Sequence, residues 1–242
     1  MSSRLSGLAW SVAVVAGGGA STPAGLTQGH GKQTITPVKA CFVTVAHAHP
    51  TRAVLIDAAL ELFATEGFRG TTVRKIEEAA GLTPGAGGMY RHFRSKEALL
   101  MAAVELYRAD VTAFVERTPD LLELGDVRAE LLLAAKLSRE FNDRNDALLR
   151  VLLLESAAIP TRAQRQFEEA WNLGYRTYAG WLEQRLTGAG KVDIEATAIQ
   201  LFGSLAQYQL QEKTFAAPPL GVGYERFVGS WADHWSRFIA SS

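Results

Sequence analysis

The 242-residue sequence has one cysteine, Cys41, and no net charge. A single cysteine excludes a disulfide framework and a cysteine-ligated zinc site within one chain, and it favours a reducing compartment. The five histidines show no metal-ligand spacing, and no apolar run is long enough to span a bilayer. We therefore expect a cytoplasmic protein that has no metal or other cofactor and no membrane association.

The motifs of enzymes are missing as well. The sequence has no nucleophile–base arrangement and no phosphate-binding loop of the form G-x-x-x-x-G-K-[ST]. Glu77 and Glu78 are adjacent, so they do not share a helix face as paired carboxylates would. A short Gly-Ala-Gly fragment at 85–87 is too weak to indicate a nucleotide site. We do not expect an enzyme.

From Thr51 onward, apolar residues recur with helical spacing, and no stretch alternates as a strand would. The first predicted helix ends at Gly67, which can adopt the left-handed conformation that closes a helix. A second, short helix is capped by Thr71 or Thr72 and closed by Gly81. A third is predicted to open with Thr83 as its cap and Pro84 at its first position. Two short helices with a glycine turn between them indicate a helix-turn-helix, which can enter the DNA major groove.

The distribution of charge supports this interpretation. Residues 69–96 carry six basic and two acidic residues, whereas residues 101–242 carry fifteen basic and nineteen acidic ones. A small basic unit in a neutral chain whose later part is acidic provides a focused surface for phosphate.

The segment from Leu55 to Leu99 resembles the N-terminal domain of TetR/AcrR-family transcriptional regulators. The resemblance rests on anchors that recur in order: Leu55-Ile56, Ala58-Ala59, Leu62-Phe63, Gly67-Phe68, Thr71-Thr72-Val73, Ile76, Ala80-Gly81-Leu82-Thr83, Tyr90-x-His92-Phe93 and Ser95-Lys96-Glu97-Ala98-Leu99. It implies an all-α protein with an N-terminal three-helix DNA-binding domain at 48–95. A larger helical domain at 96–242 would bind a ligand and form a homodimer.

The sequence departs from the family pattern at two places. The family usually has two fewer residues between the turn glycine and the tyrosine, here Gly81 and Tyr90. Three glycines lie in this longer segment, and each glycine inside a helix costs about 1 kcal/mol relative to alanine. The recognition helix therefore either starts late, within 84–88, or has a soft start that orders on DNA. The other departure is Glu77, a carboxylate where the family usually has a small residue, which must reach solvent or find a partner.

The residues expected to bind DNA fall into two groups. Contacts to phosphate are assigned to helix-start hydroxyls and to basic or polar side chains, several of them by the family resemblance: Thr71, Thr72, Arg74, Lys75, Tyr90, His92 and Lys96. Arg91 is included, although it could equally face solvent. The groove-facing start of the third helix is assigned to small groups that can contact thymine methyls: Thr83, Pro84, Gly85 and Ala86.

The helical body offers expectations for a ligand and a dimer partner. The resemblance implies an effector cavity, and one charged and four aromatic side chains are candidates to line it: Arg150, Phe167, Trp171, Tyr175 and Tyr178. Each aromatic could instead be ordinary core. The last two predicted helices, 193–213 and 222–239, are the candidate dimer interface, through Leu201, Leu205, Tyr208, Trp231 and Trp235. These five could also be monomer core.

Residues 1–47 differ from the rest in composition. Residues 5–16 are modestly apolar and faintly resemble a secretory signal, while 21–39 are rich in Gly, Thr, Gln and Pro without period. We interpret 1–47 as a disordered or non-native extension, such as one from an upstream start codon. A signal peptide and an arm that contacts DNA are the alternatives.

These observations together predict a transcriptional regulator. The expected function is a ligand-responsive repressor that binds a palindromic double-stranded DNA operator as a homodimer and is released by a small-molecule effector. An activator, or a DNA-binding adaptor without a ligand, is the alternative.

Overall fold

The computed structural model describes residues 50–186 and 192–241, and within these ranges it contains eight α-helices and no strand. The helices are α1 (Pro50–Glu66), α2 (Val73–Ala79), α3 (Lys96–Leu121), α4 (Val127–Arg144), α5 (Asp146–Leu154), α6 (Thr161–Glu183), α7 (Ile194–Phe215) and α8 (Tyr224–Ser241). Short 3₁₀ turns lie at Met89–Arg91, Ser156–Ala158 and Pro219–Gly221. The predicted all-α fold is confirmed. The interpretation of residues 1–47 lies outside the described residues.

Four helices begin with a polar side chain that accepts a hydrogen bond from the third residue of the helix. The capping side chains and their backbone donors are Thr72 with Lys75, Ser95 with Ala98, Asp126 with Ala129, and Asp193 with Ala196. Each cap satisfies one of the N–H groups that a helix start leaves without an intrahelical partner. The Thr72 cap confirms one of the two caps predicted for the second helix.

The first hydrophobic core joins the N-terminal helices to the body. It contains residues of α1 and α2 such as Leu55, Phe63 and Ile76, together with residues of α3, α5 and α6 such as Val104 and Val151. Helix α3 starts beside the N-terminal helices and runs for 26 residues into the body. The predicted domain boundary at 95/96 coincides with the start of α3, and apolar packing continues across it. That boundary stays a prediction.

The second core lies among α4, the end of α6, α7 and α8. Its buried residues include Leu131, Tyr178, Leu205 and Trp231. A buried carboxylate, Glu130, accepts hydrogen bonds from the Trp181 indole and the Arg185 guanidinium at the edge of this core. Of the helices that the structure describes, none combines the length and apolarity needed to cross a membrane.

Candidate nucleic-acid interface

Helix α2 is fixed against α1 by its apolar side. Ile76 is fully buried in the first core, and Thr72 caps the helix by accepting from the Lys75 N–H at 3.3 Å. The neighbouring Thr71 is 1% exposed, and its hydroxyl donates to the Gly67 carbonyl at 2.9 Å. Thr72 is exposed. This placement favours Thr72 over Thr71 as a phosphate contact and corrects the expectation that the Thr71 hydroxyl faces DNA.

The predicted third helix does not begin at Thr83. Residues 83–88 form turns, and the next helical element is the short 3₁₀ turn Met89–Arg91. Gly85 and Gly87 have φ angles of 80° and 74°, in the left-handed region that an α-helix of L-residues cannot use. The expected Thr83 cap is therefore wrong, and the first helical turn begins at Met89, after the segment 84–88. Whether this segment becomes helical on DNA stays a prediction.

Glu77 is the residue that organises this turn. Its side chain is 1% exposed, one carboxylate oxygen accepts from the Gly85 N–H at 2.7 Å, and the other accepts from the Met89 N–H at 3.0 Å. Hydrogen bonds from Met89 and then Gly85 lower the pKa of Glu77, and burial opposes that shift. The partner that this carboxylate required is thus the backbone of the longer turn.

The turn presents most of the predicted contact residues to solvent. Tyr90 is 58% exposed, and Met89 beside it is fully buried, so the 3₁₀ turn has one anchored and one open face. The other predicted contacts that are exposed here are Arg74, Thr83, Pro84, Gly85, Ala86 and Arg91. His92 is half-buried, and its carbonyl accepts from the Arg52 guanidinium at 3.3 Å.

Two predicted phosphate contacts are already engaged within the chain. The Lys96 ammonium donates to the carbonyls of Phe68 at 2.7 Å and Thr71 at 3.2 Å, and it lies 4.6 Å from the centre of the Phe68 ring. Lys75 forms a 2.7 Å ion pair with Glu66 on the surface. Sequence reasoning missed that Lys96 connects the start of α3 to the loop between α1 and α2. Only the three-dimensional approach of residues 27 and 28 positions apart reveals it.

The five candidate ligand residues do not line one common cavity. Arg150 and Trp171 border a small cavity of about 40 Å³, and Arg150 pairs with Asp146 at 3.1 Å. Phe167 packs against Trp171 in the first core, whereas the rings of Tyr175 and Tyr178 both contact Phe202. A pocket of about 240 Å³ lies between α3 and α6, bordered by none of the five.

The five candidate dimer residues are all buried within the single chain. Leu201 and Leu205 are fully buried, and Tyr208, Trp231 and Trp235 are at most 9% exposed. The Trp231 indole donates to the Leu201 carbonyl at 3.1 Å, which ties α8 to α7. These side chains are therefore core residues, and a dimer contact through the outer faces of α7 and α8 stays a prediction.

The fold and this exposed turn define a class: an all-α protein, over the residues described, with an exposed and partly basic turn after α2. The family model for "Bacterial regulatory proteins, tetR family" matches residues 55–103. Residues 55–103 are therefore similar to this family, and the resemblance is confirmed over that region. The relatives matched over this region include HTH-type transcriptional regulators such as UidR of Escherichia coli.

Curated relatives are similar over the same short region. The chain is 45% identical over 53 residues to the uncharacterized HTH-type transcriptional regulator YerO of Bacillus subtilis, covering 22% of this chain and 18% of that protein. It is 49% identical over 49 residues to the HTH-type transcriptional repressor KstR2 of Rhodococcus jostii, covering 20% of this chain and 23% of the repressor. The matches thus span about a quarter or less of these relatives' lengths.

Solved structures share the fold over most of the described chain. The transcriptional regulator FadR of Bacillus subtilis, in complex with stearoyl-CoA, superposes with a TM-score of 0.56 and 19% identity, covering 78% of this chain and 97% of FadR. Escherichia coli NemR in its reduced form superposes with a TM-score of 0.57 and 19% identity, covering 79% and 99%. At this identity the likeness concerns the fold alone.

Proposed function

We propose that the protein is a sequence-specific DNA-binding repressor that acts as a homodimer on a palindromic operator and is released by a small-molecule effector. The observation that carries the proposal is the open face of the turn 83–91. Exposed Tyr90 and Arg91 project from a segment whose other side is anchored by buried Met89 and Glu77. A rigid base with a polar, partly basic outer face suits a surface that contacts phosphates and base edges.

One DNA-binding unit of this kind, formed by α2 and the turn 83–91, contacts too few base pairs for strong specificity. Two such units are therefore expected to act together. A two-fold dimer would present two readers to half-sites one helical turn apart. Support for a partner surface comes from apolar residues left open on the α7 side of the body, with Ile199 at 52% and Phe215 at 73% exposed. Sedimentation velocity at micromolar concentration tests this part, and a monomer throughout would refute it.

Effector release requires a site in the helical body that differs between DNA-competent and DNA-incompetent arrangements. The pocket between α3 and α6 supports this part because α3 connects the reader to the body. It is bordered by Val115, Thr118, Leu122, Thr177, Gly180 and Trp181. Stearoyl-CoA, which the FadR structure contains, is a suitable first probe. The proposal predicts that an effector binding here weakens DNA binding, and a ligand that binds without changing DNA affinity would argue for a different role.

The DNA-binding part is tested by selecting genomic fragments with the purified protein and measuring affinity for the selected duplex by fluorescence anisotropy. Arg74→Ala should weaken all DNA sequences alike and reduce the slope of log K against log salt by about one. Arg162→Ala, which removes an exposed arginine on α6, is the matched control and should change nothing. Absence of any fragment bound preferentially at low salt would overturn the proposal.

Repression and activation are separated by a reporter placed behind the selected operator. A repressor lowers reporter output when the protein is present and restores it when the effector is added. A rise in output on protein addition would replace repression with activation and leave the DNA-binding proposal intact.

A further inference from the structure

The buried carboxylate of Glu77 lies within the part of the molecule that should approach a polyanion. DNA phosphates repel carboxylates, and a buried charge is costly unless hydrogen bonds compensate it. Here the two carboxylate oxygens accept from Gly85 at 2.7 Å and Met89 at 3.0 Å. Its neighbour Glu78 is exposed on the same helix and makes no such contact to the turn in the described structure.

The turn itself has little intrinsic reason to hold one conformation. Three glycines lie within residues 83–88, and glycine loses more conformational freedom on ordering than any other residue. The backbone hydrogen bonds within the turn are few: Ala86 N–H to Thr83 at 3.2 Å and Tyr90 N–H to Gly87 at 3.1 Å. The Glu77 carboxylate, fixed on α2, adds as many hydrogen bonds to this segment as the turn makes within itself.

Close packing around Gly88 shows that the arrangement is specific. A methyl group at Gly88 would lie 3.1 Å from the Leu82 side chain and 3.8 Å from a Glu77 carboxylate oxygen. The Leu82 side chain would have to shift slightly, whereas the methyl group would be in ordinary van der Waals contact with the Glu77 carboxylate.

We infer that Glu77 is a positioning residue for DNA recognition: by accepting the Gly85 and Met89 N–H groups, its carboxylate holds the glycine turn so that Tyr90 and Arg91 face the groove. This inference rests on the proposed DNA-binding function. Glu77 touches no DNA in this scheme and acts only through the turn.

A charge-neutralising substitution at Glu77 distinguishes a positioning role from an electrostatic one, because the two roles predict opposite changes in DNA affinity. Glu77→Gln removes a negative charge near phosphate, so electrostatics alone predicts equal or tighter binding. Glu77→Gln also replaces one acceptor oxygen with a donor that faces an N–H group. We expect operator binding weakened at least about tenfold, equivalent to losing one charge-assisted hydrogen bond. Glu78→Gln, the matched control with the same charge change, should bind within about threefold of wild type or tighter.

A second measurement tests whether Glu77 orders the turn in the absence of DNA. Hydrogen exchange by NMR should show that the Gly85 and Met89 amides are protected in the wild type and exchange faster in Glu77→Gln, while amides in the centre of α1 keep their protection. A Glu77→Gln protein with unchanged exchange and operator affinity would overturn the inference. If the wild type bound no DNA, the proposed function would fail, and the exchange data would still decide whether Glu77 orders the turn.

A second variant covers the case in which Glu77→Gln does not fold. Gly85→Ala strains the same turn, because Gly85 has φ of 80°, without touching the core, since a methyl group there meets no atom within 4 Å. Gly85→Ala should weaken operator binding while the total helix content measured by circular dichroism stays unchanged. Where both variants fold, the double variant should lose less affinity than the product of the two single losses, because both act on one turn. Strictly multiplicative losses would show that Glu77 acts by another route.

Discussion

Replacing Lys96 by methionine separates two roles that the sequence assigns to the same side chain. As a phosphate clamp, Lys96 would matter only when DNA is bound. In the structure, its ammonium instead donates to the Phe68 and Thr71 carbonyls and lies over the Phe68 ring. Methionine keeps the apolar stem and removes the charge and the donors.

The size of the effect follows from these contacts. Hydrogen bonds to charged groups contribute about 1.5–3 kcal/mol each, and a partly exposed cation–π contact adds about 0.5–1 kcal/mol. Lys96 is half-buried, and the carbonyls it leaves can regain water, so the lower end of each range applies. Two hydrogen bonds and the ring contact at these values sum to about 3.5 kcal/mol, an upper limit because the freed carbonyls regain water. We expect a loss of about 2–3.5 kcal/mol, which corresponds to roughly 4–14 °C in Tm for a chain of this size.

Thermal unfolding by calorimetry or circular dichroism tests this, with Lys136→Met as the matched control. Lys136 is exposed and its nearest carboxylate, on Glu140, lies 3.8 Å away, so its loss should cost less than about 0.5 kcal/mol. The reasoning is refuted if the two variants melt alike and Lys96→Met instead reduces the salt slope of DNA binding by about one.

Three further predictions follow from buried groups. Arg185→Met should destabilise the protein by about 3 kcal/mol, because it leaves the Glu130 carboxylate, whose side chain is 2% exposed, without its 2.6 Å partner; urea unfolding measures this, and a loss below about 1 kcal/mol would show that the remaining donors suffice. Tyr178→Phe should stabilise by about 1 kcal/mol, because the Tyr178 hydroxyl is buried without a hydrogen-bond partner among the described residues; a clear loss of stability would mean that the hydroxyl is satisfied in solution. The lowered pKa of Glu77 means that its contribution to stability is present above the ordinary glutamate pKa and lost as the pH falls through the folded value. The stability advantage of the wild type over Glu77→Gln should therefore begin to shrink below the ordinary glutamate pKa of about 4.3 and vanish only at lower pH, and an advantage that does not change with pH would contradict the pKa argument.

Helix starts were readable from the sequence because their cause is local. Thr72, Ser95, Asp126 and Asp193 each bond to a backbone group three residues further on, so spacing alone identifies them. The family anchors between 55 and 99 likewise carried the class of the protein.

The recognition segment was harder to predict, because proline and threonine signals pointed to a helix at 83. Left-handed Gly85 and Gly87 prevent it, and the conformation is selected by Glu77, a residue on another element. Local residue propensities cannot predict a contact between a helix residue and a turn eight to twelve positions away. One signal in the sequence pointed to this contact: Glu77 itself, a carboxylate where the family usually has a small residue.

The body shows the same limit in another form. The sequence made Tyr178 on α6 a candidate for the pocket and Trp231 on α8 a candidate for the dimer surface. In the structure both side chains lie in the second core. Burial within a chain and burial against a partner or ligand produce the same apolar periodicity. Only the packing of α7 against α8 distinguishes them for these residues.

The pairing of Glu77 with the glycine turn has a consequence for how such proteins can diverge. A shorter turn would leave the carboxylate without N–H partners, and a small residue at 77 would leave the longer turn without its acceptor. A protein with only one of the two changes would lack these hydrogen bonds. The glutamate and the longer turn should therefore be gained and lost together. Among TetR-family sequences, glutamate at the position of Glu77 should therefore mark the subset that carries two extra residues before the tyrosine.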